Sequence, residues 1–210
     1  MIYLKLDGHD FQYEIEDILK LFFKDENVLL MDEDNCERQD GVFIYSSIIS
    51  IESPENEGDI SFQLNTSLEG ADKVLHRFTS DVTGLMKQLG GNGCHEARKV
   101  LKREVKRQIY EAAAKFTAKE MPWGILTGIR PAKIVHEMLE RNLDKEHIME
   151  QLSNYYFVAR NKASLVYDVA LSEKVILDSS NADMVGIYIG IPFCPTRCLY
   201  CSFTSNPIKK

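Results

Sequence analysis

The sequence predicts an α+β unit, then a helical region, then a short apolar strand running into a cysteine loop. Three observations predict this order. Across residues 1–90, short runs rich in β-branched and aromatic residues alternate apolar with polar positions. Across 91–180 the apolar residues recur instead at helical spacing. Residues 181–210 carry the apolar run Val185–Ile191 just ahead of Cys194, Cys198 and Cys201.

Met1–Leu6 alternates and reads as a strand. Phe11, Ile15, Ile18, Leu19 and Phe22 share one helical face, with Asp10 available as the N-cap. Asn27–Met31 reads as a second strand, and Asp32–Asp40 as an acidic connection. Val42–Ile51 and Ile60–Asn65 form an expected hairpin around Pro54–Gly58, and Lys73–Thr79 adds a strand. Strands gathered around one early helix make a small α+β unit. No catalytic constellation stands out in it. His9 and His76 are isolated, and a lone histidine is more often a satisfied or surface residue than a ligand.

Gly90–Gly93 breaks the pattern. Ala97, Leu101, Val105, Ile109, Ala113 and Phe116 then form an apolar stripe, ending before Met121–Pro122. In Trp123-Gly-Ile-Leu-Thr-Gly-Ile-Arg-Pro131, Gly124 and Gly128 permit unusual backbone angles, and Pro131 suits a first helical turn. A helix N-terminus flanked by Arg130 and Lys133 would attract an anion such as a propionate or phosphate. The simpler reading is that Trp123 and Ile125 dock this loop on the core. Ile134, Val135, Met138 and Leu139 continue a helix; Leu143–Leu152 and Val158–Leu177 read as two more. Tyr155 and Tyr156 read as core or interface, not as a stacking platform. Asp178–Asp183 reads as a linker at the main boundary, and Val185–Ile191, apolar on both faces, as a buried parallel strand.

The composition excludes several classes. A chain of 210 residues with 44% hydrophobic and 27% charged residues can bury a core in one domain or two. Its net charge of −7 argues against a general nucleic-acid binder. The densest basic stretch, Arg98–Arg107, reads as a solvated helix face. No apolar run nears the ~20 residues of a membrane span, and Asp7, Asp10, Glu14 and Glu16 near the start are unlike a signal peptide. A cytoplasmic protein is expected. Cys36 and Cys94 stand apart and read as ordinary thiols.

The cysteines at 194, 198 and 201 have C-x3-C-x2-C spacing, which five cysteines would reach by chance about once in a thousand sequences. Three thiolates from one tight loop suit three irons of a [4Fe-4S] cubane and leave the fourth iron open. A structural zinc site would need a fourth ligand nearby, and a disulfide an oxidising compartment. Nothing in the sequence looks secreted, so zinc or redox thiols are the alternatives to the cluster.

With Tyr200 ahead of the last cysteine, the triad resembles the cluster motif of radical S-adenosylmethionine (SAM) enzymes. Tyr188-Ile-Gly-Ile-Pro-Phe-Cys194 resembles the oxygen-independent coproporphyrinogen III oxidases, whose usual form is Tyr-x-His-Ile-Pro-Phe-Cys. Trp123-Gly-Ile-Leu-Thr-Gly-Ile-Arg-Pro-Ala-Lys133 resembles a signature of their HemZ-type branch, the coproporphyrinogen dehydrogenases. Gly190 departs from the main branch, which has His there, beside the cluster and any second SAM.

The resemblance implies that Val185–Ile191 begins a radical SAM partial (β/α) barrel, with the cluster loop at the active end of its strands. It implies Cys194, Cys198 and Cys201 as ligands of a [4Fe-4S] cluster, and Tyr188 and Tyr200 as SAM contacts. Arg197 would offset cluster charge or meet a carboxylate, solvent exposure being the simpler reading. The implied reaction is anaerobic oxidative decarboxylation of coproporphyrinogen III to protoporphyrinogen IX in haem biosynthesis. Reductive cleavage of SAM would supply a deoxyadenosyl radical, with a one-electron donor such as flavodoxin or ferredoxin as partner. No acid or base is assignable. Because the other barrel strands do not follow, the barrel is expected to be truncated, and the 210-residue chain inactive alone and aggregation-prone at its unpaired strand. Alternative readings are a haem chaperone or another radical SAM protein. A further one is a non-catalytic iron–sulfur or tetrapyrrole-binding module, in which residues 1–180 bind a partner or tetrapyrrole and the cysteines bind iron or zinc.

Overall fold

The computed structural model describes residues 1–31, 41–52, 60–70, 73–89, 94–179, 184–185, 187–196, 198 and 206–208. The connections at Asp32–Asp40 (with Cys36) and Pro54–Gly58, and the break at Gly90–Gly93, lie outside them. Met1–Ser172 and Glu173–Lys210 form two units.

The first unit opens with β1 (Ile2–Asp7), α1 (Gln12–Phe22) and β2 (Val28–Leu30), a parallel β-α-β turn in which Ile2 faces Val28 and Leu4 faces Leu30. β3 (Val42–Glu52) lies parallel to β1 on its other side, from Ile2↔Val42 to Asp7↔Ser47. It then returns antiparallel as β4 (Ile60–Gly70), which pairs with β5 (Lys73–Asp81). The five-stranded sheet has the order β2-β1-β3-β4-β5. Alternation aims Ile2, Leu4, Ile44, Ile48, Leu64 and Leu68 into the core. The opposite face carries the stacked rings of Tyr3 and Phe43 (centroids 4.9 Å apart) and a hydrogen bond from Tyr45 to Asp7.

The core is closed by helices. α1 buries Ile15, Ile18, Leu19 and Phe22. After the short α2 (Thr83–Leu89), which the sequence reading did not include, α3 (Cys94–Thr117) buries Leu101, Val105, Ile109 and Ala113, as its stripe predicts. The expected regions 1–90 and 91–180 are therefore not separate cores, since sheet and helices share one hydrophobic cluster. Asp10 does not cap α1. The N-cap position is Phe11, without a side-chain cap, and Asp10 accepts instead from Arg98 at 2.7 and 2.8 Å.

α4 (Pro131–Glu140) and α5 (Lys145–Glu150) follow, and α5 runs into a π-helical turn, Gln151–Tyr155. α6 (Arg160–Ser179) ends past the linker start expected at Asp178; residues 180–183 lie outside the described ones. His9 is satisfied by Ser46 Oγ at 3.0 Å, and burial lowers its pKa. Among the described residues, no helix is long and apolar enough to cross a membrane.

Candidate functional site

The expected strand Val185–Ile191 is a correction. Its described residues form no strand, and Val185 and Tyr188 are 86% and 85% exposed. A strand apolar on both faces holds only when hydrogen-bonded neighbours flank it and other layers cover it. No described residue supplies that pairing.

What this stretch leads into is more ordered. β6 (Phe193–Cys194) pairs in parallel with β7 (Asn206–Pro207). The Asn206 amide donates to the Pro192 carbonyl at 2.7 Å, and the Ile208 amide to the Cys194 carbonyl at 3.0 Å. The loop carrying Cys198 is thereby tied at its base. Cys194 is half-buried, Cys198 is exposed, and both are free thiols. Tyr200, Cys201 and Arg197 lie outside the described residues. Among the described residues, which do not include Cys201, no three His, Cys, Asp or Glu side chains gather as a metal site.

Gly190 lies against the ring of Tyr188. A Cβ there would lie 3.1 Å from Cε1 of Tyr188, closer than ordinary contact. A side chain at 190 would ask the exposed Tyr188 ring to give by a few tenths of an ångström.

The Trp123–Lys133 segment is built in the first unit. Gly124 has φ +53°, and a Cβ on it would strike the Tyr156 and Phe157 carbonyls. Ile125 N donates to Tyr156 O, and Ala159 N to Pro122 O, both at 3.0 Å. Ile125 and Leu126 are buried, so the loop docks on the core as the simpler reading expects. Its partner strand of chain is irregular: Phe157 has φ +57° and stacks on Tyr110 (centroids 5.0 Å apart). Arg107 lies 4.6 Å over the Tyr155 ring, and Arg103 donates to the Tyr156 hydroxyl at 3.0 Å. Tyr155 and Tyr156 are thus core, as expected. Pro131 is at the first turn of α4, and Arg130 and Lys133 are exposed beside it.

One group went unnoticed in the sequence. Lys106, half-buried on α3, donates to Thr127 Oγ1 at 2.8 Å, and burial brings its pKa down to about 8. Its only signal was its place beside Val105 at the edge of the apolar stripe. Thr127 also lines a cleft of about 480 Å3 between α1 and the Met121–Gly128 loop.

Compared with known proteins, the chain is 39% identical over 89 residues to the oxygen-independent coproporphyrinogen-III oxidase-like protein HemZ of Bacillus subtilis (strain 168). The match takes in 41% of this chain and 18% of that relative's length. No family model and no solved structure matches the chain. The chain is therefore HemZ-like over part of its length, in agreement with its two sequence motifs.

Proposed function

We propose, from this HemZ likeness, that the chain is the N-terminal part of a radical SAM oxidoreductase carrying out anaerobic oxidative decarboxylation of coproporphyrinogen III in haem biosynthesis, in the cytoplasm. The observation that carries the reading is the 39% identity to a HemZ protein, read together with the triad Cys194, Cys198 and Cys201. The donor set fits a [4Fe-4S] cluster: three soft sulfur ligands in one loop, two of them free and reachable thiols. When bound, such a cluster supplies the electron that cleaves SAM.

The remaining steps belong to this chain's own residues. Cys194, Cys198 and Cys201 would hold the cluster, and the β6–β7 pairing at the loop's base would limit the freedom those ligands lose on binding. Tyr188, exposed beside Gly190, would turn onto SAM, with Tyr200 as a second aromatic contact. A reduced flavodoxin or ferredoxin would supply the electron. The first unit, with its closed core, would be a module fastened ahead of the catalytic barrel.

Anaerobic reconstitution of the chain with iron and sulfide tests the cluster. A [4Fe-4S] spectrum that changes on adding SAM is the expected result. Stoichiometric zinc, or a cluster indifferent to SAM, would favour the non-catalytic module. Reading the frame past codon 210 tests the enzyme: β/α repeats with a glycine-rich SAM segment are expected, and coproporphyrinogen turnover is then assayed on the product of that frame.

A further inference from the structure

The chain just beyond the cysteine triad has an extended shape written into its sequence. Proline locks φ at about −65° and keeps the residue before it out of the helical region. Asn206-Pro207-Ile208 is therefore a short extended segment before it meets anything. Alternate residues of a strand turn their amides to a given neighbour. Here Asn206 donates to the Pro192 carbonyl at 2.7 Å and Ile208 to the Cys194 carbonyl at 3.0 Å. Pro207, which has no amide to give, falls between them, where the ladder asks for none.

The pair is parallel, so a long connection must leave the end of β6 and return to the start of β7. That connection is 195–205, and it carries Cys198 and Cys201. Cys194 is the last residue of β6 and so lies inside the pairing itself. Among the described residues, β6 has no other strand beside it.

We infer that Asn206, Pro207 and Ile208 are positioning residues for the metal loop: a preformed segment whose two amides close the 195–205 connection and hold the Cys194 main chain before a metal binds. The inference rests on the cluster reading above and adds three residues to the cysteines. Its physical basis is entropic. Three thiolates that converge on one site cost the loop backbone freedom, and ends already held together have part of that freedom removed in advance. Pro207 does the same for the segment, since a chain with proline there has fewer states to lose. The action runs through the main chain and the proline ring, for Asn206 and Ile208 are both exposed.

The test titrates the whole chain, metal-free and anaerobic, with cobalt(II) against a competing chelator. Thiolate-to-cobalt charge-transfer absorption reads binding at the cysteines. Ile208→Pro deletes the amide that reaches Cys194 and is expected to weaken cobalt binding about fivefold, the net contribution of one hydrogen bond. Pro207→Ala is expected to weaken it about two- to fivefold. Ile208→Ala keeps the amide and is expected to bind like the parent chain. A reconstituted [4Fe-4S] cluster should be lost to the chelator faster in the first two variants, with the circular dichroism of all three unchanged. A parent chain that takes up neither cobalt at its cysteines nor a cluster sinks the cluster reading and this inference together. Cobalt affinity equal in all three variants, or lowered as much by Ile208→Ala as by Ile208→Pro, overturns the positioning role alone and leaves the cluster reading standing.

Discussion

The amide of Ile125 donates to the carbonyl of Tyr156 at 3.0 Å, joining a glycine loop to the end of a π-helical turn. Both sides of that bond are irregular backbone, with Gly124 at φ +53° and Phe157 at φ +57°. Such conformations persist only where surrounding contacts over-determine them. Here Arg103, Arg107 and Tyr110 supply those contacts from one face of α3.

Gly124→Ala should therefore be costly. It combines a left-handed backbone with a Cβ placed against the Tyr156 carbonyl, so a loss of about 3 kcal/mol or more is expected. Gly128→Ala is the contrast: φ is +67°, but nothing lies within 4 Å of its Cβ, and about 1 kcal/mol is expected. Urea unfolding of the two variants gives the comparison. Equal losses would mean that the packing on Tyr156 contributes nothing.

The cysteines divide into two groups. Cys194→Ser, Cys198→Ser and Cys201→Ser should each reduce the [4Fe-4S] content reached on anaerobic reconstitution to a small fraction. Cys94→Ser, at the exposed start of α3, should leave it unchanged. Iron and sulfide analysis with Mössbauer spectra reads both. Equal iron in all four variants would remove the triad as the cluster site.

α5 carries a pH-dependent cap. Asp144 accepts from the His147 amide at 2.9 Å and lies 2.8 Å from its Nδ1. The backbone hydrogen bond from His147 holds the Asp144 pKa below its usual value, and the hydrogen bond to Asp144 raises that of His147. The carboxylate's contribution is present above its unfolded pKa and fades as pH falls through the lowered folded value. The imidazolium's contribution is complete below its unfolded pKa of about 6.5 and is lost as pH rises through the raised folded value. An NMR titration of His147 should give a midpoint above 6.5, and Asp144→Asn should bring it down. An unmoved midpoint would disprove the pairing.

Asp10→Ala should behave as the loss of an ion pair, not of a helix cap. The pair with Arg98 is exposed, so about 0.2–1 kcal/mol is expected, shrinking in high salt. A cap would cost a similar amount with little salt dependence. The salt series is therefore the measurement that separates the two.

Much of the first unit was legible because its elements bury one face each. The alternation in β1, β3 and β4 and the α3 stripe at Leu101, Val105 and Ile109 all point at the same core. Three features were not legible, for separate reasons. α2 buries no residue completely and so leaves no periodic apolar signal. Asp10 is a good cap by residue type, but Arg98, distant in sequence, outbids the local amides. Val185–Ile191 has the composition of a buried strand, and composition carries no information on whether neighbours exist to bury it. At the candidate site, the cysteine spacing was plain in the sequence. The pairing of Phe193–Cys194 with Asn206–Pro207 was not, since two-residue strands have no periodicity to read.

The position of β1 has a consequence for synthesis. β1 is an inner strand, with parallel partners on both sides that follow it at residues 28–30 and 42–47. Parallel neighbours cannot be reached by a tight turn. On a ribosome adding about 5–20 residues per second, α3 out to Ala113 follows β1 by roughly 5 to 22 s. Until then Ile2 and Leu4 have no complete core to enter. The hairpin of β3 and β4, whose contacts are local, is complete before α3. β1 thus waits for a sheet built downstream of it.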